Sequence, residues 1–175
     1  NYTDLSVYIT GNIISGNGSA GISIGDVDAS HLTILNNQVT LNGYEGIYIS
    51  TIDNVSTVTI RGTVTEGAST QTITGNGTDD NCAGISVGWV SDDSELTIEG
   101  NNISGNTAEG IFIDRINYAD LSVYITGNLI IDNSLVGIRV NITDTSHVVI
   151  TGNTVSGSGA GIFFNAVTES VITIE

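Results

Sequence analysis

The string ITGNIISGNGSAGISI, which begins at Ile9, returns along the chain as ILNNQVTLNGYEGIYI, IEGNNISGNTAEGIFI, ITGNLIIDNSLVGIRV and ITGNTVSGSGAGIFF. A sequence that repeats itself at so short a period builds one supersecondary unit over and over, and each unit is too small to bury its apolar face alone. The marker glycine of each repeat falls at Gly21, Gly46, Gly84, Gly110, Gly137 and Gly161. The interval is therefore about 25 residues, with one interval longer by about 13. Within each repeat apolar and polar residues alternate over short runs bounded by glycine and asparagine, which is the period of strands and not of helices. The pattern predicts an all-β solenoid of about six to seven coils, each of about 25 residues, with three parallel sheets running along the axis. The usual hand of parallel crossovers makes it right-handed.

The alternation also predicts which side chains fill the interior. The first strand of successive coils points Leu5, Val7 and Ile9 inward, matched by Leu32 and Ile34, Val58 and Ile60, Leu96 and Ile98, and so on to Ile172 and Ile174. A second column reads Ile14, Val39, Val64, Ile103, Ile130 and Val155. The third strand supplies Ile24, Ile49, Val87, Ile113, Val140 and Phe164, and a last column reads Val27, Ile52, Val90, Ile116, Ile142 and Val167. Asparagine recurs at the first corner as Asn12, Asn37, Asn101, Asn128 and Asn153, with Thr63 the exception. Such a bend suits a residue that tolerates left-handed backbone, and the amides can bond the corners above and below as a ladder. The long interval is assigned to a segment from Thr65 to Ala83 bulging from the wall, where loops on a rigid scaffold commonly carry specificity.

The motif G-N-x-I-S-x-N-x-x-x-G-I-x-I resembles the right-handed parallel β-helix proteins of the pectin-lyase-like superfamily, over essentially the whole chain. That resemblance implies a fold shared by lyases, hydrolases, epimerases and surface proteins, and no single reaction. Above the coil lies a longer duplication: NYTDLSVYITGN at Asn1 reappears as NYADLSVYITGN at Asn117, and SHLTI at Ser30 as SHVVI at Ser146. Four-coil duplication suits a spacer or surface array. Residues 1–175 thus read as one β-helix domain, a piece or protomer of a longer repetitive assembly that joins end to end through uncovered terminal strands.

The net charge is −16, with Arg61, Arg115 and Arg139 the only basic residues apart from two histidines, and no lysine. That balance argues against nucleic acid and against an anionic membrane surface, both of which need lysine and arginine. No apolar run is long enough to span a bilayer. The single cysteine, Cys82, has no intrachain partner for a disulfide.

Polysaccharide-cleaving members of the superfamily use clustered aspartates. Here the candidates are Asp79 with Asp80 and Asp92 with Asp93. The first pair resembles the double aspartate of polygalacturonases, but that family's glycine-histidine-glycine and arginine-x-lysine motifs are missing, so the chain reads as a non-enzyme. His31 and His147 occupy equivalent places four coils apart and cannot share a metal. Carboxylates collect in the last corner of the coil, and if those corners stack they form an acidic rail. On that basis Asp26, Asp28, Asp92 and Asp93 are candidate calcium ligands, and no other cofactor is expected. Outward slots hold Tyr8 and Tyr124 in the first sheet and Tyr48, Phe112, Arg139 and Phe163 in the third, a stripe suited to lateral packing of another copy or to stacking on sugars. N-x-S/T sequons stand at Asn1, Asn17, Asn54, Asn76, Asn102 and Asn141, little above chance for this composition. Together these features predict an extracellular or cell-surface fibre, sheath, stalk or adhesin, with a carbohydrate-binding or carbohydrate-processing module as the alternative.

Overall fold

The computed structural model describes residues 5–65, 68–79, 82–118 and 123–175. It is a parallel β-solenoid of about 6 turns at about 26 residues per turn. The first sheet stacks Leu5–Thr10, Ser30–Leu35, Thr57–Arg61, Glu95–Glu99, Val123–Thr126, His147–Thr151 and Val171–Ile174. The second stacks the short strands Ile13–Ser15, Gln38–Thr40, Thr72–Thr74, Asn102–Ser104, Leu129–Ile131 and Thr154–Ser156. The third stacks Ile22–Asp28, Ile47–Asp53, Ile85–Ser91, Ile111–Asn117, Val136–Asp144 and Ala160–Thr168. Strand partners are parallel throughout these three sheets, so like residues sit on like.

Ile24, Ile49, Val87, Ile113, Val140 and Phe164 form one continuous file through the interior. In its middle, Ile49, Val87, Ile113 and Val140 are fully buried. Each such side chain contributes roughly 1.5–3 kcal/mol of burial free energy, and only stacking makes that burial possible. The end coils have a neighbour on one side only. Leu5, Val7, Val167 and Ile174, predicted as inward, are accordingly about half exposed or more.

Asparagine amides tie the corners together. At the first corner Asn12 Nδ2 donates to Asn37 Oδ1 at 3.0 Å, Asn101 Nδ2 to Asn128 Oδ1 at 2.9 Å, and Asn128 Nδ2 to Asn153 Oδ1 at 2.8 Å. A second file runs unbroken at the next corner through Asn17, Asn42, Asn76, Asn106 and Asn133, each amide donating at 2.9–3.0 Å to the next. Left-handed backbone is not carried by the first-corner asparagines, contrary to expectation. It falls on the residue before each: Gly11, Asn36, Gly100, Gly127 and Gly152, with φ between 56° and 67°. Division of labour explains this, since the bend takes glycine, or asparagine at Asn36, which tolerate left-handed backbone, while the ladder needs an amide at the next position.

Three further expectations are corrected. Val64 does not join the second column; it lies in an antiparallel hairpin, Val64–Thr65 with Ala68–Ser69, and is 55% exposed. Ile73 fills the column, paired between Val39 and Ile103. Gln71, and not Thr63, takes the corner place, accepting from Asn37 N at 3.1 Å. The extra length is therefore a hairpin in the first corner plus a wider second corner after Asn76, and the strand Thr72–Thr74 between them belongs to the wall. Finally, Ile142 pairs with Arg115 on the outer side, and Thr143 stands over Ile116 in the core. Thr143 is fully buried, its hydroxyl bonded to Ser170 Oγ at 3.0 Å.

Candidate functional site

The outer face of the third sheet carries four aromatic side chains, Tyr48, Trp89, Phe112 and Phe163, and two of the three arginines, Arg115 and Arg139. Ser23, Tyr48, Ser86, Phe112, Arg139 and Phe163 stand in one file, as the alternation predicts. Arg139 is held between two rings, its guanidinium carbon 5.5 Å from the centre of Phe112 and 5.7 Å from that of Phe163. Its Nη1 also donates to Glu109 Oε1 at 3.1 Å. Stacking plus a charge-assisted bond pins a long side chain that would otherwise be free, leaving a preformed surface with Phe163 42% exposed. Tyr8 and Tyr124 share a file on the first sheet, but Thr33, Thr59 and Thr97 stand between them. They make no joint patch.

Beside the stripe lies a feature the sequence reading passed over. Trp89, the only tryptophan, occupies the outward file of Thr51 and Arg115. The Arg115 guanidinium sits 5.4 Å from the ring centre. Trp89, with Thr51, Asp53, Ser91, Asn117 and Tyr118, lines a groove at the third corner. The available signal was a lone ring in a slot that holds Asp26, Thr51, Arg115, Ile142 and Ala166 in the other coils.

The corner carboxylates do not form a continuous rail. Asp26 lies in the file of Thr51 and Trp89, whereas Asp28 pairs with Asp53 in the next file but one. Asp28 Oδ1 accepts from Asn54 Nδ2 at 2.7 Å, and Asp114 Oδ1 from Asn141 Nδ2 at 2.8 Å. Asp92 and Asp93 follow the strand Ile85–Ser91, one coil removed from Asp53 in Ile47–Asp53, both with left-handed backbone. Asp53 titrates above the usual carboxylate range because burial disfavours its charge, helped by Asp28, Asp26 and Asp92 nearby. His31 and His147 share a file on strands four steps apart in the first sheet, roughly 19 Å. Of the pair near the widened corner, Asp79 N donates to Gly43 O at 3.0 Å, while Asp80 lies outside the described residues.

Among the sequons, Asn76 is fully buried with its amide nitrogen donating to Val39 O and Asn106 Oδ1, which leaves no room for a glycan in the folded chain. Asn17 belongs to the same ladder, Asn54 and Asn141 hold carboxylates, Asn102 is half-buried, and Asn1 lies outside the described residues.

No curated protein and no solved structure matches this chain. A family profile does match, over residues 49–174: NosD, described as periplasmic copper-binding protein. The chain belongs to the NosD family. That family consists of right-handed parallel β-helices of the pectin-lyase-like superfamily, which agrees with the stacked sheets and the predicted hand. Among the described residues of this NosD chain the family's copper does not find a site. Soft thioether and thiolate donors or grouped imidazoles are what copper selects, and the sequence has no methionine, one cysteine and two histidines. Among the described residues no three histidine, cysteine, aspartate or glutamate side chains come together as a metal centre.

Proposed function

We propose that this NosD-family chain acts outside the cytoplasm as a rigid, non-catalytic scaffold that packs laterally against further copies through the outer face of its third sheet. The observation that carries this reading is the Phe112, Arg139, Phe163 stack, an ordered and half-exposed aromatic surface on an otherwise acidic particle. Two copies of a −16 chain repel each other over most approaches. The file from Ser23 to Phe163 carries no carboxylate and one arginine, Arg139, so repulsion is reduced where copies meet through it. The family's periplasmic description supports the location. The absence of lysine from the sequence and the scattering of corner carboxylates over separate files support a role without chemistry.

Sedimentation velocity at rising protein concentration tests the reading. Concentration-dependent dimers or larger species are expected, strengthened by added salt as the remaining repulsion is screened. Arg139→Glu combined with Phe163→Ser removes association and leaves the circular dichroism spectrum unchanged. A wild-type chain that stays monomeric up to about 1 mM, where the association free energy is only ~4 kcal/mol, contradicts it. A carbohydrate-binding module is the second reading, favoured by the groove beside Trp89.

A further inference from the structure

We infer that the third-corner groove between Thr51 and Tyr118 is a binding site for an uncharged oligosaccharide. This site is separate from the Phe112, Arg139, Phe163 surface and does not depend on self-association. Sugar recognition combines an apolar platform for the C–H faces of the ring with hydrogen-bonding groups that meet the hydroxyls. Both parts are present. Trp89 and Tyr118 are 42% and 60% exposed on the groove, and Arg115 stacked on the indole fixes the ring in place. Thr51, the neighbour of Trp89 on the other side in its file, is small and leaves space beside the ring.

The polar part is more specific. Asp53 Oδ1 and Asn117 Oδ1 are buried oxygens without a hydrogen-bond partner, and both residues line this groove. A buried acceptor left unmet costs about 1–3 kcal/mol, and sugar hydroxyls are donors of the kind they lack. Asp53, Ser91 and Asn117 follow Ile52, Val90 and Ile116, which are in register. The two acceptors therefore stand two strand steps apart, roughly 10 Å, with the Ser91 position between them. That separation suits two linked sugar rings better than one.

Charge selects the class of sugar. Asp53 and Asp92 border the groove, Asp26 and Asp28 stand close enough to raise the Asp53 pKa, and Arg115 is engaged by Trp89. A uronate or sulfated chain would meet carboxylates, whereas a neutral chain meets acceptors. A divalent cation finds no group of three acidic, histidine or cysteine side chains among the described residues.

Because Trp89 is the only tryptophan, fluorescence excited selectively at tryptophan and not at tyrosine reports on this site alone. The test titrates the whole chain with cello-, chito-, manno-, malto- and xylo-oligosaccharides, with oligogalacturonate, and with calcium and copper salts. A saturable change in Trp89 emission is expected with at least one neutral oligosaccharide, with Kd on the order of 1 mM or tighter, and none with oligogalacturonate. Asn117→Ala should weaken that binding about tenfold, and Tyr118→Ala, at an exposed position that does not threaten folding, by a similar factor. Both should leave sedimentation unchanged, so failure here and failure of lateral association are distinguishable. No response to any neutral sugar at about 10 mM, a response only to oligogalacturonate or to a metal salt, or full binding by both variants would overturn the assignment.

Discussion

At single positions, the backbone and the side chains disagree in places that can be tested. Leu41 has φ 54° in a turn where Gly16, Gly75 and Gly105 occupy the equivalent left-handed place. Its side chain is 62% exposed, so little packing offsets the strain. Leu41→Gly should raise stability by about 0.5–1 kcal/mol, readable as a shifted urea midpoint with unchanged slope. Asp53 offers a pH-dependent case. Its folded pKa lies above the unfolded one, so the unfolded chain ionises first as pH rises and stability is lost between the two values. Asp53→Asn should therefore melt higher than wild type at pH 7, with the difference vanishing below about pH 3, under the unfolded pKa of about 3.9, where both states are protonated. A difference that persists unchanged into acid would point to packing instead of charge.

Among the elements, the two amide files are the main polar cement, and the second-corner file is the more complete. Asn106 accepts from Asn76 and donates to Asn133 Oδ1 and Ile73 O, all within the buried corner. Asn106→Ala leaves several of those groups unmet, and a loss of about 3 kcal/mol is expected by chemical denaturation. The first-corner file is interrupted where the hairpin enters: Gln71 Nε2 and Asn101 Oδ1 are both buried and both without a partner. Deleting residues 63–70 and changing Gln71→Asn should close the file and raise stability by about 1 kcal/mol; a fall in melting temperature would show that the hairpin supports the wall.

The interior files at these corners were legible wherever spacing from the marker glycine was regular, because a parallel stack transmits register from coil to coil. Where reading failed, a local preference for apolar residues had outvoted spacing. Ile142 looked like core, yet the distance from Gly137 that holds in every other coil selects Thr143, whose hydroxyl is satisfied by Ser170. Val64 likewise looked like wall but sits in the hairpin, since nothing in the sequence says how extra residues divide between two corners. The outward stripe from Tyr48 to Phe163 followed directly from alternation. The groove did not, because two unmet oxygens and a ring held by Arg115 are properties of packing.

For the whole molecule, a solenoid places a surface in proportion to the number of coils, and an unusual residue in one coil becomes a position along a line. Two of the three arginines fall along the third sheet, each stacked on a ring of that sheet, which makes that face the natural contact between copies. Distance measurement between spin labels on separate copies tests this most directly. With Cys82 replaced by serine, a single label is placed either at position 114, outward on the third sheet, or at position 59, outward on the first. Lateral packing through the third sheet predicts a clear dipolar distance for the first label, shorter than for the second. Equal distances, a shorter one for the first-sheet label, or no intermolecular coupling at all would contradict it.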